Sequence, residues 1–312
     1  MKAVVYAESP YQLLNALEYI SVLDMSSGKF LLRDNGNQIQ KDQFNEVVKV
    51  VDGKKVKHIT LPQSGGLKLL YLVKTNLTLL LYAVTFRNVI LGDGKSIVSK
   101  TLLPILNLLG IKITLVDDGL YLLDFIGSIE ERDYTIFTNL PIEKYIKDPS
   151  NCNLKVIKKK NVKAEVISGN NLNIIGMKLS EFGLMSESIY IRTLLDFVAK
   201  YPNYQVNYYP HRGESNSKLK ILSDNGFIMQ DNNLPMEEYF IANGAPGGVY
   251  VTFYSTALFN LSMMLDECDF YALELDVSFW PEQYRSEIAA CYDLFRVAGI
   301  NVKKTNLEVE GY

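Results

Sequence analysis

Cysteine, histidine and net positive charge are all scarce in this sequence. Three cysteines (Cys152, Cys268, Cys291) and two histidines (His58, His211) are spread over 312 residues. Their spacing fits no zinc pattern, which argues against a Cys/His metal site. Isolated cysteines suit a reducing compartment. Lysine plus arginine number 32 against 35 acids, a net charge of −3. No general basic field is available to hold a polyanion, so nucleic acid is not an expected partner. The start, MKAVVYAESPYQ, has neither a long apolar run nor an A-x-A site, and no secretory signal is expected.

Apolar material, by contrast, is plentiful: 48% of residues, enough for two medium-sized cores. One stretch, LKLLYLVKTNLTLLLYAVTF (67–86), reaches the length of a membrane span. It carries Lys68, Lys74, Asn76 and several threonines, each costly in hydrocarbon, so a buried or interfacial helix is expected instead. Around it, strand-like and helix-like runs alternate. KAVVYA reads as a buried strand, then SPYQLLNALEYISVL as a helix with Ser9 at the N-cap and Pro10 in the first turn. KFLLRD, VKHITL, NVILGD and KITLVDDG read as further strands separated by helices. That order predicts an α/β fold with a parallel, doubly wound sheet.

Residues 129–170 interrupt the rhythm with polar and basic runs and read as a linker or crossover. Alternation resumes in 171–312, which reads as a second Rossmann-like unit after a first spanning 1–128. The last helical stretch, YRSEIAACYDLFRVAG, could pack back on the first unit. Two such units facing a central cleft would bind ligands beyond the carboxyl ends of their strands.

Four motifs stand at those ends. AESPYQL follows the first strand; VDDG closes the last strand of the first half. YYPHRGES puts His211 after a strand, and VTFYSTALF puts Ser255 and Thr256 at a helix N-terminus, a ready anion site. Each has an ordinary explanation as well. Asp-Asp-Gly is common turn chemistry, Tyr-Ser-Thr is a common N-cap, and a lone histidine is usually a packed one. GDGK (92–95) lacks phosphate-loop spacing and reads as a turn, as does APGG near 247.

The order S-P-x-Q, acidic-acidic-Gly, Pro-His, then paired Ser/Thr resembles bacterial sialyltransferases of the lipooligosaccharide sialyltransferase and polysialyltransferase families. The run from IIGMKLSEF to YYPHRGES carries the strongest likeness, although Arg212 stands where the family usually has proline. The resemblance implies a GT-B-like fold and inverting, metal-independent transfer of sialic acid, or a related nonulosonic acid, from a CMP-activated donor. The acceptor would be a hydroxyl of a cell-surface glycan such as lipooligosaccharide, O-antigen or capsule. It implies Asp118 as the general base and His211 as the group that stabilises or protonates the leaving phosphate. Asp117 would support Asp118 by shifting its pKa or capping the next helix. Ser255 and Thr256 would hold the phosphate, one of Glu237 and Glu238 would reach the ribose, and Gly176 would lie along the nucleotide. Ser9, Gln12 and Arg212 would assist.

No metal or cofactor is expected, because a monophosphate leaving group needs less neutralisation than a diphosphate and no DxD motif is present. A transferase for another CMP-linked acid such as Kdo, a UDP- or GDP-sugar transferase, and a non-catalytic nucleotide-binding module are the competing readings. A cytoplasmic location is expected, and the basic KKKNVK (158–163) with the helix of 67–86 could seat the chain on the inner membrane. A core helix beside a solvated basic loop is the competing reading there.

Overall fold

Consecutive apolar residues, rather than alternating ones, mark strands with both faces covered. β1 (Lys2–Ala7) is buried from Ala3 onward, β4 (Asn88–Leu91) throughout, and β5 (Lys112–Val116) beyond its first residue. β2 (Ser26–Asp34), β3 (Val56–Thr60), β6 (Tyr134–Phe137) and β7 (Leu154–Ile157) complete a parallel sheet ordered β3-β2-β1-β4-β5-β6-β7. The computed structural model describes residues 1–34, 36–49, 51, 55–60, 66–119, 121–127, 133–145, 154–231 and 234–305.

Helix starts follow the capping residues. Ser9 caps α1 (Pro10–Val22), accepting from the Gln12 N–H at 3.2 Å, and Pro10 occupies the first helical position. Asn37 caps α2 (Gln38–Val48), and Ser96 caps α4 (Ile97–Leu108) after the long α3 (Gly66–Phe86). The chain steps from β1 out to β2 and β3, then crosses back past β1 to β4 and on to β5, and right-handed crossovers put α1 and α2 on one face, α3 and α4 on the other. Ala3, Val5 and Ala7 accordingly share a core with Leu13, Ala16 and Tyr19 of α1. The reversal of strand order falls between β1 and β4.

The second unit has a parallel sheet ordered β10-β9-β8-β11-β12-β13. Its strands are β8 (Val166–Ile175), β9 (Gln205–Tyr209), β10 (Ile228–Met229), β11 (Ala245–Thr252), β12 (Asp269–Glu274) and β13 (Asn301–Lys304). A short α5 (Tyr121–Gly127) precedes β6 in the first unit; α6 (Glu187–Val198), α7 (Asn216–Asp224), α8 (Met236–Asn243), α9 (Thr256–Met264) and α10 (Arg285–Val297) belong to the second. Aromatic packing dominates this core: Tyr190 meets Phe253 at 5.0 Å between centroids, and Tyr250 meets Phe270 at 5.5 Å. Here the reversal falls between β8 and β11.

Two expectations change. The supposed linker of 129–170 carries β6, β7 and the start of β8, so the units divide at 160/161, with 233–235 grouped with the first. β6 and β7 have only four residues each, too few to show a pattern in sequence. APGG is not a turn but part of β11, where a bulge shifts the register against β8 between Pro246 and Gly248. Gly248 adopts φ +125°, and a Cβ there would lie 2.3 Å from the Asn171 carbonyl oxygen, so only glycine fits. Within the second unit, α10 packs on β12 and β13, its Tyr292 hydroxyl donating to the Leu273 carbonyl.

Candidate functional site

In the first unit the carboxyl ends of β1, β4 and β5 are neighbours, which brings AESPYQ and VDDG together. Gln12 is the link. Its Oε1 accepts from the Glu8 N–H at 2.6 Å, and its Nε2 donates to Asp118 Oδ1 at 2.7 Å across 106 residues of sequence. Gly92, after β4, backs this amide so closely that a Cβ would stand 2.2 Å from Gln12 Oε1. The side chain is almost fully buried and has one orientation to offer.

The two adjacent acids do different work. Asp117 is 1% exposed; its Oδ1 accepts from the Gly119 N–H at 2.8 Å and its Oδ2 from the Thr138 hydroxyl at 2.9 Å. Asn15 Nδ2 donates to the Asp117 carbonyl at 2.8 Å. This is an Asx turn, with Gly119 at φ 76°. Asp117 therefore builds the strand tip, while the half-buried Asp118 is presented on it against Gln12. Ser9 is occupied as the α1 cap. Sequence reasoning passed over Glu8, which pairs with Arg33 and keeps Oε1 buried without a hydrogen-bond partner, and Tyr6, whose buried hydroxyl is likewise unpartnered. Burial raises the Tyr6 pKa, so it stays a neutral phenol. The signal was in AESP itself, where only the serine drew attention.

In the second unit the carboxyl ends of β9, β8 and β11 are neighbours and carry His211, Gly176 and Ser255 with Thr256. A buried chain of hydrogen bonds fixes the first two. The Met177 N–H donates to the Tyr190 hydroxyl (3.0 Å), which meets the Tyr208 hydroxyl (2.9 Å), which donates to Glu214 Oε1 (2.5 Å). Glu214 Oε2 accepts the His211 N–H at 2.6 Å. Lys218, fully buried, pairs with Glu214 and Glu181, each at 2.9 Å, and donates to the Met177 carbonyl. Burial raises the Glu214 pKa against the pull of Lys218. Burial would raise Glu181 as well, but the Ser215 N–H and Lys218 outweigh it and hold that pKa low. Gly176 is required by this packing: a Cβ would sit 2.3 Å from Glu214 Oε2.

His211 Nδ1 accepts from the Gly213 N–H at 3.1 Å, which leaves the ring proton on Nε2. Burial, then the charges of Lys178, Arg212 and Lys218, pull its pKa down to about 3. The ring is thus a neutral hydrogen-bond donor at pH 7, not the imidazolium that was one of its two expected forms. Lys178 itself is lowered by burial and by Arg212. Lys178 and Arg212 make the loops after β8 and β9 locally cationic, although the chain as a whole is acidic. Lys178 stands two residues after Gly176 in GMK, a signal that could have been read. Lys218, in SNSKLKIL, could not; it looks like a solvent-facing helix residue.

Ser255 caps α9, its Oγ accepting from the Ala257 N–H at 3.3 Å, and Thr256 opens the helix; both are half-buried. Glu237, in the first turn of α8, accepts from Asn260 of α9 at 2.7 Å and so stands against the helix that carries Ser255 and Thr256. Glu238 beside it is half-buried as well. His58 lies exposed on the β3 edge, its ring against Phe44 at 6.4 Å. Cys152 lies outside the described residues; Cys291 is buried, its thiol pushed up to about 12 by burial. Among the described residues no three His, Cys, Asp or Glu side chains gather as a metal cradle.

No protein-family model matches this sequence, and no curated protein is similar to it at a significant level. Solved structures do match along nearly the whole chain. Neisseria meningitidis UDP-GlcNAc 2-epimerase, bound to UDP-GlcNAc, aligns with a TM-score of 0.56 at 10% identity over 97% of this chain and 95% of its own. Arabidopsis thaliana UGT89C1, complexed with UDP-L-rhamnose, gives 0.57 at 9% identity over 97% and 85%. A 2,6-sialyltransferase from Photobacterium sp. JT-ISH-224, in a ternary complex with CMP and lactose, gives 0.52 at 11% identity over 96% and 78%. Likeness at this identity establishes the fold alone: two Rossmann-like halves of the GT-B type.

Proposed function

We propose that the protein is an inverting glycosyltransferase that moves sialic acid or a related nonulosonic acid from a CMP-linked donor to a glycan hydroxyl. The observation that carries this reading is the set of donors and cations at the strand ends of the second unit. A neutral His211 presents Nε2–H from the loop after β9, beside Arg212 on that loop and Lys178 on the loop after β8, at the carboxyl end of the sheet that also carries the N-terminus of α9. Helix N-termini and such donors favour phosphate. The acceptor hydroxyl gives its proton to Asp118 as its oxygen bonds to the anomeric carbon. The bond from that carbon to the phosphate oxygen breaks, and the electron pair leaves with CMP. His211 then donates a hydrogen bond to the charge that develops. Ser255 and Thr256 hold the phosphate, and Glu237 or Glu238 the ribose. The likeness of the S-P-x-Q, D-D-G, P-H and S-T order to sialyltransferases, and a sialyltransferase among the fold neighbours, support the CMP assignment.

A UDP-sugar reading has its own support. Lys178 and Arg212 supply two cations that a diphosphate could use, and two of the fold neighbours hold UDP-sugars. Incubation with CMP-sialic acid, CMP-Kdo or UDP-sugars and a panel of galactosides, read by product mass, tests the assignment. Transfer from CMP-sialic acid, insensitive to EDTA, is expected. Transfer from a UDP-sugar alone overturns the donor, and binding of CMP without transfer to any acceptor favours a non-catalytic module.

A further inference from the structure

α3 has two apolar sides, and the sheet covers only one. Leu72, Thr75, Leu79 and Ala83 are buried against the first unit. Leu70, Val73, Leu77, Leu81 and Val84 recur at the same helical spacing on the opposite side, roughly 150° around the axis at 100° per residue, and all are exposed. Leu77 and Leu81 are 58% and 70% exposed. α4 lies alongside, joined through Asn76 Nδ2 and the Thr101 hydroxyl at 2.9 Å, and adds Ile97, Ile105 and Leu108 to the same outer surface. Together these exposed side chains leave open a large apolar surface of the kind soluble monomers rarely present.

The charges around it are of one sign. Residues 66–112 contain six cations and a single acid, Asp93, within a chain of net charge −3. Lys68, Lys74, Arg87, Lys100 and Lys112 are all exposed, and neither α3 nor α4 contains an acid. The geometry points to a docking surface for an anionic phospholipid bilayer, with α3 and α4 lying in the headgroup plane, apolar stripe down and cationic rim on the phosphates. A second copy fits poorly, because a two-fold interface would press the cationic rim against itself. A transmembrane course fits poorly as well. It would strip the inner side of α3 from β1 and β4 and carry Lys68 and Lys74 into hydrocarbon. The basic run at 158–163 has contacts of its own: Lys158 pairs with Glu143, Lys159 stacks on Tyr11 at the start of α1, and Lys163 pairs with Asp266. This inference is independent of the donor reading.

Flotation of the full chain with vesicles of phosphatidylcholine, alone or with 30% phosphatidylglycerol, tests it. At low salt the protein should rise with the anionic vesicles and bind at least tenfold less to the neutral ones or at high salt. Leu77→Asp with Leu81→Asp should leave it at the bottom while its thermal melt is unchanged. Lys74→Glu with Lys100→Glu should cut partitioning tenfold or more, and Lys158→Glu with Lys160→Glu should not. Wild-type protein that stays at the bottom at low salt overturns the proposal, as do patch variants that float like wild type. So does a dimer in ultracentrifugation that the leucine variants split while vesicles go unbound.

Discussion

Asp117 and Asp118 share a backbone bend but not a job, and substitution can separate them. Asp117→Ala removes two buried acceptors at once and strands the Gly119 N–H and the Thr138 hydroxyl. At about 1–3 kcal/mol for each stranded group, the loss is about 2–6 kcal/mol. At about 2–4 °C per kcal/mol that lowers Tm by roughly 4–24 °C. Asp118→Asn keeps an oxygen for the Gln12 amide to donate to, so Tm should stay within about 2 °C, the shift expected of ~0.5 kcal/mol. What it loses is a proton acceptor, and transfer should fall by about 10²- to 10⁴-fold. Nucleotide affinity should hold, because the nucleotide is assigned to the second unit. Differential scanning calorimetry and initial-rate transfer, run on both variants with CMP binding as the control, give the answer. An Asp118→Asn protein that melts early and an Asp117→Ala protein that melts normally would refute the division of labour. A stable and fully active Asp118→Asn protein would remove Asp118 from the chemistry.

Gln12→Glu sets a carboxylate against Asp118; the like charge should raise the base's pKa and move the acidic limb of the kcat/KM profile to higher pH. Glu214→Gln weakens the pairing of buried Lys218 and loosens the His211 loop, so it should cost about 3–5 kcal/mol in urea denaturation and weaken CMP binding as well. His211 is held neutral in the fold with its pKa lowered to about 3, below the ~6.5 of an unfolded histidine. The unfolded chain binds the extra proton between those values, so this stabilisation is complete above pH 6.5 and lost as pH falls toward 3. His211→Gln should flatten the stability curve in that window only; an unchanged slope would show that the ring protonates in place.

The first five strands were legible because parallel strands buried on both faces write themselves as unbroken apolar runs, as KAVVYA and NVIL do. YTIF and LKVI belong to the same sheet but are four residues long, and LKVI is only partly buried, so neither shows a period. The motifs of the site were legible one at a time. Their assembly was not, because Gln12 reaches Asp118 only through a strand order in which β1, β4 and β5 are neighbours, and no local spacing encodes that. Lys218 shows the limit from the other side. A lysine in a polar helix is ordinarily solvated, and only Glu181, Glu214 and the face of Tyr190, with Lys218 Nζ 4.3 Å from the ring centroid, make its burial affordable.

The same construction recurs at both sheet edges. A buried acid takes backbone donors, Asp117 from Gly119 and Glu214 from His211, and so shapes the loop that follows the strand. A neighbouring residue on that loop, Asp118 or His211, is then held in one orientation by a second contact, from Gln12 in one case and the Gly213 N–H in the other. The acids that look redundant in sequence are thus what keeps the adjacent group from relaxing into solvent. A loop of Gly and Ser alone would leave Asp118 and His211 free to sample many rotamers, and positioning to within a fraction of an ångström is what general-base and hydrogen-bond catalysis require. This is why an acidic pair next to a glycine need not be read as either a turn or a catalytic tip. Here the turn, made by the first acid, fixes where the second stands against Gln12, which is the position the proposed base requires.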